Sequence, residues 1–229
     1  MPKRCVFYIV CQCCQMFREN FYKFSIYCLC IVGSCLIAAT SHAREIKLLA
    51  FGDSLIAGYG LPKKDGFSDQ LEAVFNEAGT RLKVINAGVS GDTSAGGLSR
   101  IDWALGSNPD AILLELGAND SLRGIDPKIT KTNLQKIITK LERRGVPILF
   151  AGMVAPPNMG KEYGLEFEKV YSELAEVNKV IFYPFFLEGV AGVPELNQED
   201  GIHPNKEGVL KIVETIAPFV RDLLKRVKL

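Results

Sequence analysis

Short runs in which nearly every residue is apolar alternate along the chain with longer stretches whose apolar residues recur every three or four positions. Ile46–Phe51, Leu82–Ala87, Ala111–Leu116, Val146–Val154 and Val180–Tyr183 are runs of the first kind and are predicted to be strands. Phe67–Ala78 is of the second kind, with Phe67, Leu71, Val74, Phe75 and Ala78 on one face and Gly79 closing it. Residues Thr93–Leu105, Pro127–Arg144 and Leu165–Val177 are also predicted helices, and a last helix starts near Lys206, with a kink expected at Pro218. In Pro127–Arg144 the stripe expected to be buried is Ile129, Leu134, Ile137, Ile138 and Leu141.

Strands such as "AILLEL" and "VPILFAGMV" do not alternate apolar with polar residues, so both of their faces must be covered. Strands and helices in alternation then define an α/β fold. It has three α/β/α layers around a central, mainly parallel sheet of about five strands. Ligands of such sheets bind beyond the carboxyl ends of the strands, and polar clusters stand at those ends. Gly52-Asp53-Ser54-Leu55 follows the first strand, Asn86 to Thr93 the second, and Gly117-Ala-Asn119-Asp120 the third. A fourth cluster, Asp200-Gly-Ile-His203-Pro204-Asn205, precedes the last helix. Each cluster taken singly also reads as turn or helix-cap chemistry.

The first 43 residues depart from this pattern. They hold all seven cysteines and the run Ile26–Ala39, apolar apart from Ser34, with Arg18 and Lys23 before it and Ser41-His42-Ala43 after it. Such an arrangement describes a cleavable export signal, with processing expected after Ala43. The run is shorter than the ~20 residues of a membrane span, so no stable span is expected after processing. The part before the run is long for a signal, and Met16 makes a more typical start than Met1. Val32-Gly33-Ser34-Cys35 loosely resembles a lipoprotein cleavage site, which offers lipid anchoring at Cys35 as a minor alternative. The expected division is therefore a signal over residues 1–43 and a catalytic domain over 44–229, exported to the periplasm or the medium.

Removing the signal changes the candidate chemistry. The mature chain has no cysteine, which excludes disulfides, thiol catalysis and thiolate metal sites. Four of the 27 basic and one of the 26 acidic residues precede Arg44, leaving a net charge of −2 and no electrostatic footprint for nucleic acid. Of two histidines, His42 falls in the signal, so His203 alone remains. One histidine without spaced carboxylate partners does not build a catalytic zinc site. Gly58-Tyr-Gly60 lacks the third glycine of a dinucleotide loop, and no cofactor is expected. A serine nucleophile needs a base and a group that orients the base, and Ser54, His203 and Asp200 are the candidates.

The four clusters together resemble the SGNH, or GDSL-type, hydrolase superfamily, named for its Ser, Gly, Asn and His. They correspond to Ser54 in "FGDSL", Gly91 in "GVSGDTS", Asn119 in "GAND" and His203 in "DGIHPN", in order, within a similarity over residues 46 to 220. "NAGVSGDTSAGGLSRI" and "LELGANDSLRG" are most similar to the secreted bacterial group described as multifunctional thioesterase, lysophospholipase and arylesterase. Ala118 stands where that group commonly has a second glycine.

The resemblance implies a flavodoxin-like SGNH hydrolase fold and a catalytic Ser54–His203–Asp200 triad. It also implies an oxyanion hole made by the Ser54 and Gly91 backbone N–H groups and the Asn119 side chain. Asp53, Asp92 and Asp120 read as braces of these loops. For the acyl side of the substrate, Leu122 and Ile125 offer a mobile wall, and Val193 and Leu196 an apolar groove. Phe185, Phe186, Leu187 and Val190 belong either to that groove or to the core. The expected partner is a small acyl ester, thioester or lysophospholipid, and a monomer is favoured. The alternatives are a carbohydrate or peptidoglycan O-acetylesterase of the same superfamily and a catalytically silent binding module.

Overall fold

Five strands, β1 (Ile46–Gly52), β2 (Leu82–Gly88), β3 (Ala111–Glu115), β4 (Ile148–Ala151) and β5 (Ile181–Tyr183), pair side by side in the order β2-β1-β3-β4-β5. Every pairing is parallel, with Leu48 opposite both Val84 and Ala111, and Leu114 opposite Phe150. The structure is a computed structural model that describes residues 44–228, and the expected signal lies outside them. Among the described residues no helix is long and apolar enough to cross a membrane.

Among the described residues seven α-helices accompany the sheet: α1 (Ser54–Ala57), α2 (Phe67–Glu77), α3 (Ser94–Ala104), α4 (Ala118–Leu122), α5 (Pro127–Arg143), α6 (Lys161–Asn178) and α7 (Lys206–Leu224). Parallel neighbours require crossovers, and right-handed crossovers place a helix on one face or the other according to the direction of travel across the sheet. From β1 the chain steps outward to β2, so α2 covers one face, where it packs against α7. The remaining steps run the other way, and on the opposite face α5 packs against both α3 and α6. The strands are thereby buried on both sides: every residue of β3 and β4 is buried, as are Leu48 to Gly52 of β1. That is why their sequences are continuously apolar.

Three details differ from the expected pattern. Ile129 is 53% exposed; the buried face of α5 runs instead through Pro127 and Thr130, whose hydroxyl donates to the buried Asp120 carboxylate at 3.0 Å. β4 is shorter than predicted, because Val146 closes the end of α5 by donating to the Leu141 carbonyl. α6 starts four residues early, its first turn, Lys161-Glu-Tyr-Gly164, having little apolar signal to announce it. Of the residues left open between groove and core, Phe186 and Val190 belong to the core, with Phe186 edge-on to Phe67 at 5.1 Å between centroids. α7 runs as one helix through Pro218.

Candidate active site

β1 ends on Gly52, where a Cβ would stand 2.3 Å from Glu115 Oε2 and 2.4 Å from Ile56 Cγ1. Only glycine lets the first strand run this close to β3 before turning. Asp53 then caps α1, its Oδ1 accepting the Leu55 N–H at 3.0 Å. Ser54 becomes the first residue of α1, and its N–H is among the donors that no carbonyl of the helix can take. Two residues past β3, Gly117 lies at φ +119°, where a Cβ would lie 2.0 Å from the Tyr171 hydroxyl. That hydroxyl is buried and donates to the Leu116 carbonyl at 3.0 Å, anchoring the turn that presents Asn119.

His203 lies far from Ser54 in sequence and arrives on the segment before α7. Its Nε2 is 2.9 Å from Ser54 Oγ, and its Nδ1 is 2.7 Å from Asp200 Oδ2. The second oxygen of Asp200 accepts the backbone N–H groups of Ile202 and His203, each at 3.0 Å. Burial pushes the Asp200 carboxyl up, but the hydrogen bonds from the His203 ring and these two amides outweigh it and hold it down at about 2. The loop that carries this pair is tied down by Gln198. Its side-chain amide donates to the Tyr59 and Pro204 carbonyls at 2.8 and 2.9 Å, and its backbone N–H to the His203 carbonyl at 2.8 Å. The Tyr59 ring lies against the imidazole, with centroids 4.6 Å apart.

Gly91 sits in the turn after β2 at φ +84°, a conformation that other residues rarely adopt. Arg123, just beyond α4, donates to the Gly91 carbonyl at 2.8 Å. Asn119 Nδ2 donates to Asp53 Oδ2 at 3.2 Å, so the Asn119 amide stands beside the residue that precedes Ser54. The three predicted oxyanion donors thus lie at three strand ends, each braced by a neighbour. Of the predicted substrate-side residues, Leu122 is exposed and Ile125 and Val193 are half-buried, while Leu196 packs against the core.

The aspartates of the four clusters brace loops as expected. The carboxylate of Asp120 accepts the Ser94 N–H and hydroxyl as well as the Thr130 hydroxyl, which joins α3, α4 and α5. Asp92 pairs with Arg100 of α3, a residue that sequence reasoning passed over. The Arg100 guanidinium also donates to the carbonyls of Gly52 and Ala87, both at 2.8 Å, and lies 4.0 Å over the Phe51 ring. One cation therefore ties the carboxyl ends of β1 and β2, the two strands that deliver Ser54 and Gly91. A single Arg in a helix that opens Ser-Ala-Gly-Gly was its only trace in the sequence. Tyr59 and Gln198 left no comparable signal, because their roles depend on a contact across 139 positions.

Beneath this surface lies a second acidic pair. Asp53 is fully buried, and burial pushes its carboxyl up to about 6, against the Leu55 and Asn119 hydrogen bonds and the charge of His203, with Asp92 adding to the rise. Glu115 of β3 is fully buried too and raised well above the ordinary carboxylate range, first by burial and then by the charge of Asp53. Its Oε2 accepts the Asp53 N–H at 3.2 Å, and its Oε1 has no partner among the described residues. No cluster of three or more metal-ligating side chains occurs among the described residues.

A parallel α/β sheet with three of these clusters at its strand ends and the fourth before its last helix defines an SGNH hydrolase of the esterase type. The chain belongs to the GDSL-like Lipase/Acylhydrolase family, which matches residues 50–209. It is 43% identical to an arylesterase of Vibrio mimicus over 80% of this chain and 91% of that one. It is 35% identical to a thioesterase 1/protease 1/lysophospholipase L1 of Escherichia coli K12, over 77% of this chain and 84% of that protein. The crystal structure of the psychrotrophic esterase EstA from Pseudoalteromonas sp., inhibited by monoethylphosphonate, superposes with a TM-score of 0.75. It shares 32% identity, over 79% of this chain and all of that one.

Proposed function

We propose that this chain is an exported serine hydrolase that cleaves small acyl esters, thioesters and lysophospholipids through an acyl-enzyme intermediate. The observation that carries the reading is the unbroken relay from Ser54 Oγ through the His203 imidazole to Asp200, with links of 2.9 and 2.7 Å. His203 Nε2 takes the Ser54 proton as Oγ attacks the acyl carbonyl carbon. Asp200 accepts the Nδ1–H, which fixes the tautomer with a bare Nε2 and stabilises the imidazolium that forms. A carboxyl held down at about 2 stays charged at every working pH and suits that role. The developing oxyanion is met by the Ser54 and Gly91 N–H groups and the Asn119 amide, donors set before the reaction starts. His203 then protonates the departing alcohol or thiol, and a water activated by the same imidazole releases the acid.

The names of the relatives support an ester or thioester substrate. Leu122, Ile125, Val193 and Leu196 are assigned to the acyl chain, and export rests on the signal pattern of residues 1–43. The test is a hydrolysis panel of p-nitrophenyl esters of graded chain length, acyl-CoA, lysophosphatidylcholine and acetylated sugars, with Ser54→Ala as control. Turnover lost in Ser54→Ala with an unchanged circular dichroism spectrum is expected, as is phosphonate labelling at Ser54. Retained turnover in that variant refutes the mechanism, and a strict preference for acetylated sugars redirects the substrate to O-acetyl groups. Mass spectrometry of the mature protein is expected to find a start at Arg44; a lipidated Cys35 overturns simple secretion.

A further inference from the structure

An amide side chain is nearly symmetric in shape, and only its NH2 end can serve an oxyanion. Something must decide which end Asn119 presents. Asp53 is the single hydrogen-bond partner that its side chain has among the described residues, and the contact is Nδ2 to Oδ2 at 3.2 Å. A carboxylate can only accept. It therefore holds the NH2 end toward itself and leaves the second N–H for the oxyanion, whereas a reversed amide would set Oδ1 against a like-charged oxygen. Asp53 is itself immobile: it is fully buried, its Oδ1 is committed to capping α1, and its backbone N–H is taken by Glu115.

Resting on the reading of Ser54 and the oxyanion donors above, we propose that Asp53 is a positioning residue that sets the orientation of the Asn119 amide and so makes it an oxyanion donor. A protonated Asp53 gains a donor of its own and no longer dictates that orientation, so the Asn119 contribution to rate is lost as the pH is lowered. The titratable groups facing Asp53 are Glu115 from β3, Asp92 from the turn after β2, Tyr171 from α6 and His203 from the base loop. The buried site places this transition near pH 6.

The experiment is a double-mutant cycle on kcat and KM with a p-nitrophenyl ester. In Asp53→Asn the side-chain oxygen still caps Leu55, but its NH2 then meets the NH2 of Asn119, and the amide is driven to reverse. A fall in kcat of about 10²–10³ is expected, as for loss of one oxyanion donor, with KM within about 3-fold. Added to Asn119→Ala, the same change should alter kcat by no more than about 3-fold, because its effect runs through Asn119. Losses that multiply overturn the proposal, as does a loss expressed mainly in KM. Should Asp53→Asn fail to fold, the wild-type protein still decides. The acid limb of log kcat is expected to be steeper in the wild type than in Asn119→Ala, by the share that Asp53 adds through Asn119; superimposable limbs refute the positioning role. Phosphonate labelling and the Ser54→Ala control report separately on the underlying mechanism, which survives if only the cycle fails and falls if Ser54→Ala turns over.

Discussion

Two aspartates flank the site, and their surroundings give them opposite character. Asp53 stands at the end of a buried strand, beside a second buried carboxyl, and titrates near 6. Asp200 stands on an exposed loop, receives three hydrogen bonds from His203 and Ile202, and is held down at about 2. The same side chain is thus a permanent charge in one place and a titrating group in the other. Desolvation disfavours the charged form and directed N–H groups favour it, and the fold supplies a different balance of the two on either side of Ser54. The nucleophile side is rigid through burial, whereas the base side is held by polar ties across its loop.

The sharpest break of this comparison is Asp200→Asn, which leaves the geometry but not the tautomer preference. A drop in kcat of about 10⁴ is expected, measured by steady-state kinetics; a loss under tenfold would show that the loop orients His203 without its carboxylate. Next comes the brace of the nucleophile side. Arg100→Met removes the guanidinium from the Gly52 and Ala87 carbonyls and leaves the Asp92 carboxylate without its cation, with only the Val89 N–H still on the Gly52 carbonyl. It should cost about 3 kcal/mol in urea unfolding, with a constant m-value.

The pH dependence of stability separates the two aspartates by sign. The folded value of Asp53 is raised from 3.8 to about 6, so its contribution to stability is full below 3.8 and is lost as pH rises through 6. Asp53→Asn escapes that loss, and its stability relative to wild type should improve by about 2 kcal/mol between pH 4 and pH 7. Asp200 has a lowered value, so its contribution is present above 3.8 and lost as pH falls through about 2. The relative stability of Asp200→Asn should therefore worsen as pH rises through that window. Thermal melts across pH check both signs, and parallel curves for the two variants would erase the contrast. The smallest effect is that of Gln198→Ala on the base loop, about 1 kcal/mol for a partly exposed neutral tie. It should lower kcat more than it lowers the melting temperature, because it frees the segment carrying His203.

Most of the architecture was legible in the chain. A strand covered on both faces has no polar period, so Ala111–Glu115 declared itself by continuous apolar residues, and the crossover helices by their single stripes. Where the pattern failed, a polar requirement had displaced it. Ile129 occupies an apolar residue's place in the sequence, yet the buried position went to Thr130 because Asp120 needed its hydroxyl. Ser54 and His203 were legible because each interrupts a pattern at a strand end or loop and one histidine remained to serve as base, whereas Gly91 and Asn119 stood out through the resemblance of their clusters to the SGNH family. Arg100, Gln198 and Tyr59 were not, since each acts through backbone carbonyls or a ring face that no local spacing encodes.

Sequence alone thus determined the alternation of strands and helices, the parallel sheet and the residues offered for chemistry, because periodicity and turn chemistry act between near neighbours. Tertiary structure alone decided which carboxylates stay charged, which amide end faces outward and which cation ties two strands together. Those outcomes depend on desolvation and on approaches of 2 to 4 Å between residues dozens of positions apart. Glu115 shows the division most plainly: in sequence it is one polar letter in an apolar strand. In the fold it is a buried carboxyl beneath the nucleophile's turn, with one oxygen that has no partner among the described residues.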